Sequence, residues 1–162
     1  MNKKQALPWD NPRFKNWVAL VRGHNAVERA LSKALRPLDL KTAHLDILLN
    51  AFRFPGLSQQ ELARKLLVGR SNVTMLLPQL EMRGLITRTA DARDKRIWRL
   101  DLTGPGLALT RQAIDIHVAL IDKVMGASSQ AACDMVGQVM QNVARLLENP
   151  ELSASKPTKA HD

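Results

Sequence analysis

Several things are scarce in this chain, and each shortage removes a class of function. One cysteine in 162 residues excludes an intrachain disulfide. No Cys-x-x-Cys pair or His/Cys cluster has metal-ligand spacing, so neither a metal nor another cofactor is expected. Aromatic residues amount to 4%, with no tyrosine, although 45% hydrophobic content suffices for the core of one domain or one intertwined pair of subdomains. No apolar run approaches the roughly 18 residues that span a bilayer, so no membrane partner is expected. The opening residues MNKKQALPWDNPRF begin basic but lack the apolar stretch of a secretory signal, which points to a cytoplasmic, reducing location. Catalytic signatures are also missing: there is no G-x-x-x-x-G-K-S/T loop, no G-x-G-x-x-G after a strand, no H-E-x-x-H and no G-x-S-x-G elbow. The chain reads as a protein that is not an enzyme.

What is abundant is positive charge, with a formal net of +9 and an isoelectric point near 10.3. It is unevenly placed. Residues 1–41 carry nine Lys and Arg against three Asp and Glu, and residues 58–103 carry nine against five, whereas residues 104–162 carry five against six. A chain of this kind seeks a polyanion, and the asymmetry favours one DNA-facing side over a generally basic surface.

The basic segment 57–103, LSQQELARKLLVGRSNVTMLLPQLEMRGLITRTADARDKRIWRLDLT, organises the rest. Ser58 and Glu61 have the spacing of a capping box, after which Leu62, Ala63 and Leu66 face inward. A Leu67-Val68-Gly69 turn leads to a second helix whose Val73, Leu76, Leu77 and Leu80 form one buried stripe. Gly84 stops that helix as a left-handed cap. From Leu85 to Thr89 and from Arg96 to Leu102 the period changes to two, with Trp98, Leu100 and Leu102 on one face. Helix, turn, helix and a two-stranded hairpin with a charged tip predict a winged helix-turn-helix in a mainly α chain.

The second helix leaves Arg70, Ser71, Asn72, Thr74, Met75 and Gln79 outside. Small hydrogen-bonding side chains at a helix N-terminus suit base edges in the major groove: Asn72 has the atoms for a bidentate adenine pair, and Thr74 offers a methyl to thymine and a hydroxyl to phosphate. A solvated helix face is polar in any case, but the hairpin adds Arg93, Lys95 and Arg96, which tilts the reading to double-stranded DNA. The rival is a winged helix used for protein contact, which needs neither the polar cluster nor the basic tip.

Ser58 to Leu66, Ser71-Asn72-Val73-Thr74, Leu80-Glu81, Arg83-Gly84-Leu85-Ile86, Arg88, the run from Asp91 to Arg96, and Leu102-Thr103 with Gly106 resemble the MarR family of bacterial transcription regulators. The motifs cover about a third of the chain, and the flanking helices fit the family's layout over nearly all of it. The resemblance implies a homodimer that binds a palindromic operator, as a repressor, and releases it when a small molecule binds. It also supports Arg93 as the minor-groove residue, with Asp91 or Asp94 holding Arg96. Pro78, inside the recognition helix, departs from the pattern: it removes the amide that would bond the Thr74 carbonyl and predicts a kink.

Around this segment, residues 1–41 are expected to form an arm and a dimerisation helix from about Arg13 to Arg36, ended by Pro37, with Phe14, Trp17, Val18, Val21, Val27, Leu31, Ala34 and Leu35 in one stripe. The DNA-binding domain spans 42–103, with Thr42 as N-cap of a helix carrying Leu45, Leu48, Leu49 and Phe52. Residues 104–149 form two further dimerisation helices. The first aligns Leu107, Thr110, Ile114, His117, Ile121 and Val124; the second aligns Cys133, Val136, Met140, Val143 and Leu147. The tail 150–162 reads as disordered. Cys133 is expected to be a buried apolar residue without redox function.

His24 falls on the apolar stripe of the first helix, and His44 and His117 are similarly placed on theirs. The resemblance implies a ligand cleft among these helices, so Trp17, Arg22, His24, His44 and His117 are candidate effector residues for a small anionic aromatic compound. The alternative is that these histidines are satisfied core residues fixing helix contacts.

Overall fold

The computed structural model describes residues 7–66 and 70–148. The turn expected at Leu67-Val68-Gly69 and the tail from Pro150 lie outside the described residues. In order the elements are α1 (Phe14–Leu35), α2 (Thr42–Arg53), β1 (Leu57–Ser58), α3 (Gln59–Lys65), α4 (Arg70–Met82), β2 (Ile86–Ala90), β3 (Trp98–Leu102), α5 (Gly104–Met125) and α6 (Gln130–Glu148), with 3-10 turns at Pro8–Asp10 and Arg36–Leu38. Two compact units divide the chain, residues 1–120 and 121–162.

The core of the first unit is aliphatic. Leu35, Leu45, Ile47, Leu48, Leu62, Val73, Leu77, Leu80, Ile86 and Leu100 are all fully enclosed or nearly so, and each gains roughly 1.5–3 kcal/mol from burial before the cost of ordering it. The predicted stripes of α2 and α4 supply half of this set, Leu45, Leu48, Val73, Leu77 and Leu80, whereas Phe52 of the α2 stripe is 39% exposed. At the start of α3 the capping box forms as its spacing predicts: Ser58 Oγ accepts from the Glu61 amide at 3.2 Å, and Glu61 Oε2 accepts from the Ser58 amide at 2.7 Å. The Ser58 amide first, and the Ser58 side chain second, hold the Glu61 carboxyl below its ordinary range. Gly84, at φ +65°, ends α4 in the left-handed region.

The structure departs from the sequence reading in several places. The sheet has three antiparallel strands in the order β1-β3-β2, not two. β1 is only Leu57–Ser58, too short to show a period of two, and it is set by the Gly56 amide on the Leu100 carbonyl at 3.1 Å. Trp98 shares a strand face with Leu100 but is 47% exposed, because its partner Ala90 lies at the tip, past the core. On α2 the N-cap is Lys41 rather than Thr42, whose hydroxyl donates instead to Glu28 Oε1 at 2.6 Å.

On α5 the inward line is Gly106, Thr110 and Ala113, backed by Leu109 and Ile116. Thr110 belongs to the predicted line, whereas Gly106 and Ala113 lie inside in place of the adjacent Leu107 and Ile114. The cause is a close approach: a Cβ on Gly106 would sit 1.8 Å from the Leu85 carbonyl oxygen, so this side of the helix must lie against Leu85, the residue before β2. Along α1 only the last turns reach the core, and Trp17, Val21 and Val27 stay exposed. α4 continues through Pro78 to Met82.

The second unit consists of the end of α5 and α6. Ser129 Oγ accepts from the Ala132 amide at 3.3 Å, and Cys133 Sγ lies 3.5 Å from the Met125 carbonyl oxygen. Cys133 is half-buried rather than buried, since α6 presents Met135, Val136, Val139, Leu146 and Leu147 to the outside.

Candidate nucleic-acid interface

Three anchors hold α4. Its apolar stripe packs on α2 and α3. At its C-terminal end, Arg83 donates to the carbonyls of Asp39, at 2.6 Å, and Leu38, at 3.2 Å. On its flank, Glu81 pairs with Arg88 of β2 through Nε at 2.9 Å and through Nη2. With Val73, Leu76, Leu77 and Leu80 inside, Met75 is left 64% exposed. Arg70, Ser71, Asn72 and Thr74 occupy the first turns of this helix, and their side chains lie outside the described residues.

Gln79 is placed differently from expectation. Its Oε1 is 3.3 Å from His44 Nε2, and its Nε2 donates to the Met75 carbonyl at 3.1 Å. Because His44 Nδ1 accepts from the Lys41 amide at 3.3 Å, the ring proton resides on Nε2 and donates to Gln79. Burial, aided by the charges of Lys41 and Arg83, holds the His44 pKa below its ordinary value and keeps the ring neutral, with the Gln79 bond acting the other way. Both ends of the Gln79 amide are therefore engaged within the protein, and its predicted reading of a base edge is replaced by a bond between α2 and α4.

The wing is ordered from within. Asp91 Oδ1 accepts from the amides of Arg93, at 2.8 Å, and Asp94, at 3.2 Å, an Asx turn that shapes the tip. Its other oxygen takes Arg99 Nε at 2.6 Å, and Arg99 Nη1 reaches the Gly56 carbonyl at 3.0 Å. Chiefly through the Arg99 bond, the Asp91 carboxyl is lowered to about 2. Arg93, Lys95 and Arg96 are thus left exposed on a fixed turn. Of the two proposed holders of Arg96, Asp94 is the nearer, at 3.9 Å from Nε and also accepting the Arg96 amide at 3.0 Å. Asp91 serves Arg99 instead. Sequence reasoning missed Arg99, because a charged residue on a strand face carries no local sign of a partner eight positions away.

At the wing's base, the Thr103 hydroxyl donates to the Gly84 carbonyl at 2.5 Å and accepts from the Gly106 amide at 3.0 Å, while the Thr103 amide bonds the Leu85 carbonyl at 3.1 Å. Hairpin and α5 are joined at this point.

The candidate effector residues do not converge within one chain. Trp17 lines a cleft of about 720 Å³ with Leu7, Pro8, Arg13 and Phe14. His44 lines a separate cleft of about 400 Å³. Arg22 and His24 are exposed on α1, and His117 is half-buried on α5. Among the described residues no group of three or more His, Cys, Asp or Glu has a metal-holding arrangement, and no helix is long and apolar enough to cross a membrane.

Comparison with known proteins agrees with this geometry. The model of the MarR family matches residues 40–98. An uncharacterized HTH-type transcriptional regulator of Bacillus cereus is 31% identical over 140 residues, covering 84% of this chain and 91% of that protein. The transcriptional repressor CouR, solved bound to a 23-mer DNA duplex, superposes with a TM-score of 0.73 at 26% identity, covering 89% of this chain and 99% of that one. CouR from Rhodococcus jostii RHA1, solved bound to p-coumaroyl-CoA, gives a TM-score of 0.71 at 25% identity, covering 86% and 96%. With a polar recognition helix, a basic wing and relatives aligned over most of its length, the chain belongs to the MarR family of DNA-binding transcriptional regulators.

Proposed function

We propose that the protein is a cytoplasmic repressor that binds a palindromic operator as a homodimer and leaves it when a small organic anion binds. The observation that carries this reading is the pairing of an α4 whose first turns are polar in sequence with a wing whose Arg93, Lys95 and Arg96 are exposed on an Asp91-fixed turn. In it, Arg70, Ser71, Asn72, Thr74 and Met75 address bases and nearby phosphates, while the wing cations address the minor groove and backbone. The exposed apolar residues support the dimer: Trp17, Val21 and Val27 on α1, and Met135, Val136, Val139 and Leu147 on α6. Each such side chain forgoes roughly 1.5–3 kcal/mol while it stays in water, which a second copy recovers. Residues 1–41 and 104–149 then serve dimerisation, and 42–103 serves DNA.

The CouR structures support the sign and the effector, one being a repressor on DNA and the other holding an aromatic acyl thioester. In this chain Trp17 and Phe14, with Arg13 beside them, offer rings and a cation to an aromatic acid. Selection from random DNA tests the whole reading. An inverted repeat with half-site centres about one helical turn apart is the expected result. A monomer in light scattering at micromolar concentration, or binding with no sequence preference and no steep salt dependence, overturns it and favours a winged helix used for protein contact.

A further inference from the structure

The smaller cleft lies where the link between α1 and α2 meets the C-terminal end of α4. Its walls include Arg36, Asp39, Lys41, His44, Gln79 and Arg83, and it encloses about 400 Å³. Three of these side chains are cations and one is a carboxylate. That carboxylate does little to neutralise them, because the Asp39 side chain is 96% exposed and approaches only Arg83, at 3.8 Å. Among the described residues neither Arg36 nor Lys41 has a carboxylate within ion-pair distance. Arg83 is held in place by the Leu38 and Asp39 carbonyls, so its guanidinium is already oriented. His44, 4% exposed, closes one side of the cleft.

We infer that this cleft binds a compact anion, the carboxylate or phosphate group of a small molecule, and that its occupancy acts on the recognition helix. One oriented guanidinium with two further cations around a concave site favours such a group over dispersed surface cations. A DNA phosphate is the less suitable occupant. Arg83 lies roughly 20 Å along the helix axis from Arg70 at about 1.5 Å per residue, and it is the N-terminal end of α4 that faces bases. Coupling to DNA runs through contacts already described: Gln79 lies in α4 and Arg83 directly follows it, and each is bonded to the α1–α2 region that carries Arg36 and Lys41. An anion that draws Arg36 and Lys41 toward Arg83 changes how firmly the end of α4 is held, and by linkage DNA changes the affinity for the anion equally. This deepens the reading of a ligand-responsive regulator, and only the coupling step rests on it.

The test uses the full-length isotope-labelled protein without DNA, titrated at constant ionic strength with inorganic phosphate and, separately, with benzoate. Saturable shifts of the His44 ring and the Gln79 side-chain amide are expected with at least one probe, and the probe that gives them identifies the anionic group. Arg36→Gln and Lys41→Gln, both at exposed positions, each weaken that binding at least fivefold while the spectrum stays folded. Shifts that do not saturate, that spread over all basic residues alike, or that survive both substitutions overturn the site. Operator affinity is then compared with and without the anion at matched ionic strength. A change of threefold or more that disappears in both variants supports the coupling, and unchanged affinity with intact anion binding overturns the coupling alone. Failure of the wild-type protein to bind any DNA strikes the functional reading and leaves the anion result standing.

Discussion

Replacing Gly106 with Ala isolates the joint between wing and α5, and its magnitude follows from the geometry. In an open helical position the change stabilises by about 1 kcal/mol, because Ala loses less backbone entropy. At Gly106 the new methyl carbon would lie 1.8 Å from the Leu85 carbonyl oxygen and 2.7 Å from the carbonyl carbon. Relief requires α5 and the start of β2 to separate by more than an ångström, since the obstacle is backbone and no rotamer escapes it. Overpacking of that kind costs about 1–3 kcal/mol, here toward the upper end. Stretching the Thr103 bonds to Gly84 and Leu85 adds about 1 kcal/mol. Against the helical gain, the net loss is about 3 kcal/mol, a melting-point drop of about 6–12 °C at this chain length. Calorimetry of Gly106→Ala beside Gly104→Ala, where a Cβ meets open space, measures the contrast. The second variant should melt at or slightly above the parent. A Gly106→Ala protein that melts no lower than the parent would refute the packing argument and the register of α5 with it.

Arg93→Ala should weaken DNA binding at every sequence and lower the slope of log K against log salt by about 1, whereas Asn72→Ala or Thr74→Ala should also change the preferred bases; competition binding over a salt series separates them. Asp91→Ala removes the acceptor for two tip amides and Arg99. If that turn exists to present Arg93, the Asp91→Ala and Arg93→Ala losses will not add in a double-mutant cycle, and full additivity counts against the arrangement. Burial, above all, holds the His44 pKa below its ordinary value of 6.5. The folded state therefore binds fewer protons than the unfolded one, so the stability it confers is complete above about pH 6.5 and is lost as pH falls below that value toward the folded pKa. Urea midpoints from pH 8 to pH 5 should show this decline, and it should flatten in His44→Gln.

The parts of the fold legible in the sequence are those that local physics determines. The Ser58–Glu61 box needs two residues three apart, the α4 stripe needs four aliphatics at helical spacing, and the Gly84 stop needs one left-handed residue; each formed as its pattern implied. β1 escaped because two residues cannot display a period. Thr110 lies inside as the pattern implies, but Gly106 and Ala113 flank it there in place of Leu107 and Ile114, a difference the pattern misses because both are less apolar than the residues beside them. What decides that face is the approach of Gly106 to Leu85, twenty-one positions away and invisible to a hydrophobic pattern.

The same distinction explains the recognition helix, where the sequence marks a polar face but not its division of labour. Polar positions from Arg70 to Gln79 look alike in a helical projection. In the structure they separate, because Gln79 lies against His44 from α2, thirty-five residues earlier in the chain, and gives both ends of its amide to intramolecular bonds. Pro78 stands immediately before it and contributes no N–H to the Thr74 carbonyl. The half of α4 beyond Met75 is thus a supporting half, joined to α2 by Gln79, to the α1–α2 link by Arg83 and to β2 by Glu81. On the proposed reading, base contacts then fall to the first turns. A helix divided in this way explains how proline is tolerated within it: the carbonyl that loses its helical donor falls between the two halves, and the bonds on its C-terminal side hold the helix in place.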